Sequence, residues 1–165
     1  MKAFFLFCLI ILVLPANAEG IKIGYINVDK VINNLKHYQE SNSQIIQEFE
    51  PKKIELIDLF DYIKLLKNKI DTSEINLDSE EYLTSVQKVI ALENNFQLES
   101  TAWQKELSDK QFKLLEKIEA EINFAIKEYA LSEQYDLILY DNGAYVSEKI
   151  DISKVIISNI EKLYQ

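Results

Sequence analysis

Glycine and proline are nearly absent from this sequence. The only glycines are Gly20, Gly24 and Gly143, and the only prolines are Pro15 and Pro51. A protein of many strands needs many turns, and turns draw on these two residues. So few breakers imply few, long elements, with helix dominant. Cysteine is scarcer still. Cys8, the single example, lies in an apolar N-terminal run, which leaves no disulfide framework, thiolate nucleophile or zinc–cysteine site in the remainder. Arginine is missing altogether, so every basic side chain apart from His37 is lysine. The net charge is −9, which repels nucleic acid and anionic lipid head groups at long range and excludes both as electrostatic partners.

Residues 1–18 read as a targeting segment. Lys2 supplies a positive start, Ala3 to Leu14 an apolar run, and Pro15 a break. Ala16-Asn17-Ala18 then places small residues where a signal peptidase reads them, giving cleavage after Ala18, before Glu19. The apolar run is about a dozen residues, too short to span a bilayer as a helix. The expected product is an exported protein without stable membrane insertion. It is about 147 residues long, one domain's worth.

Ile21 to Val28 is short and rich in β-branched and aromatic residues, and reads as a strand. Asp29 is the expected N-cap of a short helix carrying Val31, Ile32 and Leu35. From Tyr38 to Ile70 apolar residues recur at helical steps: Ile45, Phe49, Ile54, Ile57, Phe60, Ile63, Leu66 or Lys67, and Ile70. Asp71 to Asp78 interrupts the pattern and reads as the tip of a hairpin. Asp78 or Ser79 is placed to cap a second helix, with Glu80 and Glu81 in its first turn. That helix runs to Ser132 on the stripe Leu83, Val86, Ile90, Phe96, Trp103, Leu107, Leu114, Ile118, Ile122, Ala125 and Tyr129. At 1.5 Å per residue the two helices are roughly 50 and 80 Å long. A chain of this size has a radius of gyration near 15 Å when compact, so the hairpin must project.

Strand chemistry returns at Tyr135 to Tyr140. Asp141-Asn142-Gly143 is a tight-turn signal, and Ala144 to Val146 reads as the returning strand. Asp151 then caps a last helix, Ile152 to Tyr164. The expected fold is α+β, mostly α: a body from residues 19–37 and 134–165, and an antiparallel helical hairpin arm over 38–133 with its tip near 71–79. About three strands and one short helix bury too little surface to stand alone, so the body is expected to oligomerise. Its subunit-core candidates are Ile23, Tyr25, Leu137, Leu139 and Val146.

These segments resemble the Skp/OmpH family of periplasmic chaperones of Gram-negative bacteria. The resemblance rests on the targeting segment, IGYINVDKVI (Ile23 to Ile32), EFEPKKIEL (Glu48 to Leu56), and YDLILYDNGAYV through DISKVI (Tyr135 to Ile156). It implies a periplasmic homotrimer whose joint β-structured core carries three arms. The arms would enclose unfolded outer-membrane proteins without ATP or any cofactor. One departure stands out: from Thr72 to Ser100 there is one base, Lys88, against six acids, where the family's arms are typically basic.

The chemistry-bearing residues are few. His37, the sole histidine, has no ligand partner near it in sequence, so a surface or helix-junction role is expected and a metal site is not. Without a glycine-rich phosphate loop or a catalytic constellation, an enzyme is not expected. Pro51 inside a helical pattern is either a harmless kink or break between two helices, or a hinge near the arm root. Leu56, Leu59, Tyr62, Val89 and Leu92 are expected to flank the seam. In a two-helix arm they would stay partly wet and hold unfolded chain; a simple widening of the seam is the alternative for them. The competing reading of the whole chain is a coiled-coil envelope adaptor or scaffold protein.

Overall fold

In a computed structural model the described residues are 20–72, 80–140 and 143–164. The targeting segment with its cleavage site, the tip residues 73–79 with their capping pair, and Asp141-Asn142 lie outside them. The element order is β1 (Ile23–Ile26), α1 (Val28–Asn34), α2 (Lys36–Asp71), α3 (Glu80–Ser132), β2 (Leu137–Tyr140), α4 (Ser153–Glu161) and a closing 3₁₀ turn (Lys162–Tyr164). The chain is mostly α, with one small sheet. None of the described helices is long and apolar enough to cross a membrane.

β1 and β2 pair in parallel, with Ile23 opposite Leu137, Gly24 opposite Ile138, Tyr25 opposite Leu139 and Ile26 opposite Tyr140. On the other edge of β1, Tyr25 N–H donates to the Ile150 carbonyl at 2.8 Å and Ile152 N–H donates to the Tyr25 carbonyl at 2.9 Å. This corrects the expected Asn-Gly hairpin: residues 144–146 form no strand. The chain after Gly143 instead passes to the far side of β1, where its backbone finds free partners. Gly24 is buried, and a Cβ there would lie 3.1 Å from the Tyr135 ring, so glycine lets that ring cover the strand.

Two helix starts differ from expectation. Asn27, not Asp29, caps α1, its Oδ1 accepting from Lys30 N–H at 2.6 Å. Asp29 falls in the first turn, where its charge suits the helix dipole. The last helix begins at Ser153 rather than Ile152. Asp151 acts just ahead of it, accepting from Ser153 N–H at 2.8 Å and from Lys30 Nζ at 3.0 Å. Burial pushes the Asp151 carboxyl up, but the Ser153 and Lys30 bonds outweigh it and hold it below the usual range. The buried Ser153 hydroxyl in turn accepts from Asn27 N–H at 3.0 Å. These bonds tie the N-terminal piece to the C-terminal one.

The core joins Ile26, Val31, Ile32 and Leu35 to Ile152, Ile156 and Ile160, and also to Ile118, Ile122 and Ile126 of α3. At about 1.5–3 kcal/mol for each fully buried side chain, this cluster is the main force holding the ends of the chain together. α3 therefore serves twice, as an arm strut and as a wall of the body. It ends in a Schellman-type turn: Gln134 has a positive φ of 58° and Tyr135 N–H donates to the Ala130 carbonyl at 2.9 Å. That reversal sends the chain back as β2 beside β1.

Candidate functional site

α2 and α3 pack along one seam, and its register differs from the stripe read along the sequence. The residues of α2 that turn inward are Ile45, Phe49, Lys52, Leu56, Leu59, Ile63, Leu66 and Ile70, all buried or half-buried. Their spacing alternates four and three. Such alternation drifts by only about 20° per seven residues, which packing of the helix pair absorbs. The run Ile54, Ile57, Phe60, Ile63 advances by three each time and falls back about 60° at every step. It therefore winds off the seam, and Ile54, Ile57 and Phe60 are exposed. On α3, Val89, Phe96, Trp103, Leu107, Leu114 and Ile118 line the seam, whereas Leu83 and Ile90 are exposed.

The expected flanking set is accordingly corrected in part. Leu56 and Val89 are each only 6% exposed and belong to the seam. Leu59 and Leu92 are half-buried at its edge. Tyr62 is exposed, and its hydroxyl accepts from Lys88 Nζ at 2.9 Å. The five do not form one patch. Holding the four-three alternation strictly from Phe49 would have identified Ile54, Ile57 and Phe60 as the wet residues.

The two sides of the seam differ in chemistry. One carries a shallow groove of about 230 Å³ lined by Lys53, Leu56, Ile57, Phe60, Phe96 and Trp103, among others. The Phe60 and Phe96 rings lie 5.7 Å apart across it, and Phe60 is 52% exposed. The other side is charged. Lys52 Nζ donates to Glu99 at 2.5 Å and to Glu55 at 3.1 Å, and Lys110 pairs with Glu48. The bonds to Glu99 and Glu55 hold the Lys52 ammonium above its ordinary pKa, and Lys52, then Asn95, holds Glu99 below its own. These groups are open to solvent, so the pairs set register more than stability. Lys67 and Glu93, 2.8 Å apart, close the arm toward the tip.

Pro51 stands on the exposed surface of α2, which continues through it, so of the kink and the break between two helices the break does not occur. The ladder bond to the Gln47 carbonyl is lost there. Close by, Trp103 Nε1–H donates to the Phe49 carbonyl at 3.1 Å, fastening α3 to α2 beside the gap.

In the body, four of the five subunit-core candidates share one face of the sheet. Ile23 and Leu137 are neighbours, as are Tyr25 and Leu139, and all but the half-buried Tyr25 are exposed. Val146 is half-buried, and a side chain at Gly143 would meet both it and the Tyr25 ring. Among the described residues β2 has a strand neighbour on one edge only. His37 lies at the root of α2, against Glu121 and Tyr164, in the junction position expected for it.

A small α+β body with a long two-helix arm, apolar on one flank and charged on the other, defines a class of fold built to expose surface rather than enclose a pocket. Residues 22–160 match the family described as outer membrane protein (OmpH-like), and the chain belongs to that family. It is 23% identical over 154 residues to the chaperone protein Skp of Pectobacterium atrosepticum, covering 91% of this chain and 93% of that one. An OmpH-like crystal structure from Caulobacter crescentus superposes with a TM-score of 0.70 at 12% identity, covering 87% of this chain and 85% of that one; at that identity the likeness is one of fold.

The seam and the flank respond differently to truncation. Leu56→Ala is expected to destabilise the protein by about 2–4 kcal/mol, as for other buried leucines. Phe60→Ala should stay within about 1 kcal/mol, since half its surface is already wet. Urea titration followed by circular dichroism measures both.

Proposed function

We propose that this protein is a periplasmic holdase chaperone that keeps unfolded outer-membrane proteins from aggregating, without ATP and without catalysis. The observation that carries this reading is the arm itself. A two-helix arm has one seam and cannot bury a second apolar row, yet Ile57, Phe60 and Phe96 line an open groove on its flank. A contiguous exposed apolar surface of this kind marks a site for another chain. Many weak apolar contacts suit an unfolded client, which offers hydrophobic side chains in no fixed geometry. The OmpH-like family and the Skp relative support the same role, export of the chain accords with it, and no cofactor is required.

The reading includes a homotrimer built on the body. The apolar row Ile23, Tyr25, Leu137 and Leu139, with Val146 beside it, and the unpaired edge of β2 are the surfaces that other copies would cover; a bare strand edge is a template for pairing. In this arrangement three arms leave a common root and their apolar flanks face a shared cavity. The coarse division into body (19–37 and 134–165) and arm (38–133) describes the roles, although α3 contributes its root to the body core. The client surface is the revised groove set, supported from the seam by Leu56 and Val89; Leu59, Tyr62 and Leu92 stand one heptad from Lys52, Glu55 and Glu99, on the charged flank, and would offer clients a separate, minor contact. Pro51 is proposed as a hinge near the arm root. The alternative reading, an envelope adaptor, would rest on one folded partner instead of many unfolded ones.

Replacing the exposed pair Ile57 and Phe60 by Ser, with the seam residue Phe96 kept, should abolish most suppression of aggregation, tested on several unrelated unfolded β-barrel proteins, and leave helicity unchanged. Full suppression by that variant would refute the groove assignment, and selective binding to one folded partner would favour the adaptor. Leu139→Asp puts a charge in the middle of the apolar row. It should convert a trimer into a monomer at micromolar concentration by sedimentation; a monomeric wild type would sink the cavity. For the hinge, Pro51→Ala restores the missing ladder bond and should raise amide protection on the 47–51 turn and narrow the range of client sizes accepted. Unchanged protection and unchanged range would exclude it.

A further inference from the structure

The junction between arm and C-terminus holds an unusual arrangement around the sole histidine. His37 is the second residue of α2, and its side chain is 14% exposed. From α3, Glu121 places a carboxylate oxygen 3.0 Å from Nε2. From α4, Glu161 places one 4.0 Å from Nδ1. From the closing 3₁₀ turn, the Tyr164 ring stacks on the imidazole with centroids 4.0 Å apart and planes 12° from parallel. Lys117 lies 3.8 Å from Glu121 on the outer side. Glu161 also accepts from Lys36 N–H at 2.7 Å, and so caps α2, whose N-cap residue Leu35 offers no side-chain acceptor.

The chemistry of the ring follows from its partners. A carboxylate only accepts, so a neutral His37 must carry its proton on Nε2 to bond Glu121. Nδ1 is then a bare lone pair, and it is buried without a hydrogen-bond partner among the described residues. It faces a second carboxylate, acceptor against acceptor. Protonation places a positive ring between the two carboxylates, bonded to Glu121 at 3.0 Å and within ion-pair distance of Glu161 at 4.0 Å. Tyr164 does not compete in this range: its bond to Glu121, followed by burial, lifts the phenol to about 12.

We propose that the junction is a proton-responsive latch, in which charging of His37 joins Glu121 of α3 to Glu161 of α4 and clamps the C-terminal segment onto the root of the arm. The sign follows from the geometry. In the closed junction the charged ring sits between Glu121 and Glu161, an attraction it lacks when the junction opens, so acid favours closure and alkali loosens it. Histidine is the side chain whose charge changes near neutral pH, and the comparison below spans that range. Asp151 acts in the opposite direction. Its folded pKa is depressed, so its contribution is complete above about pH 4 and is lost only as pH falls through the folded value, outside this window.

The test is amide exchange in the purified protein at pH 6.0 and 8.0, expressed as protection factors so that intrinsic rates cancel, read over 154–164 and the first turn of α2. Protection in the wild type should be about tenfold greater at pH 6.0, the order gained when the 3.0 Å bond between His37 and Glu121 becomes charge-assisted. With no other histidine in the chain, His37→Gln should remove the difference. Glu161→Gln keeps an acceptor for Lys36 N–H but removes the charge facing Nδ1, and should shrink it. A wild type with equal protection at both pH values would overturn the latch, as would a tenfold difference that survives undiminished in either variant.

Discussion

The parallel pairing of β1 with β2 is the constraint from which the architecture follows. Parallel neighbours cannot be joined by a tight turn; the chain must leave one strand's end and return to the start of the next. In most folds a single helix covers that distance. Here the crossover is the whole arm, α2 out and α3 back, with Ile23 brought beside Leu137. Because the strands are pinned at the two ends of the excursion, both roots of the arm are held in the body. The Schellman-type turn at Gln134 aims the returning chain, and Ile118, Ile122 and Ile126 continue the arm's inner face into the body core.

Beyond that shared root the arm has no cover but itself. Each helix can hide one narrow stripe, and everything else stays in water. The protein uses the two flanks differently. One carries Lys–Glu pairs between the helices, which discourage non-specific sticking and fix the register. The other carries Phe60 and Phe96 over a shallow groove. The result is exposed aromatic surface on an otherwise acidic, lysine-bearing rod. The proposed oligomer follows the same logic in the body, where an apolar row lies on the open face of a two-stranded sheet.

The long elements were legible because their physics is local. Missing glycine and proline announced long helices, and the ends of α2 and α3 fell within a few residues of where the polar interruption and the caps put them. The seam was less legible. Ile54, Ile57 and Phe60 look like a continuation of Ile45 and Phe49, and only the accumulated 60° lag of three-residue steps takes them off it. The strand after Asn142-Gly143 was misread for a different reason. A strong turn signal says that the chain reverses, but the vacant backbone edge that Ile150 and Ile152 join belongs to β1, more than a hundred residues away.

The sequence by itself determined what depends on neighbours within a few turns: helix dominance, the two-helix arm, the apolar and acidic balance, and the strand character of both ends. Tertiary structure decided what depends on distant groups meeting. It joined Ile150 and Ile152 to β1 instead of pairing residues 144–146 with β2, which among the described residues keeps one edge without a strand neighbour. It placed Leu56 and Val89 inside and Phe60 outside, because the angular phase of one helix is set by the other. It also made a junction of a solitary histidine, since Glu121, Glu161 and Tyr164 reach His37 only when the ends of the chain have closed over the root of the arm.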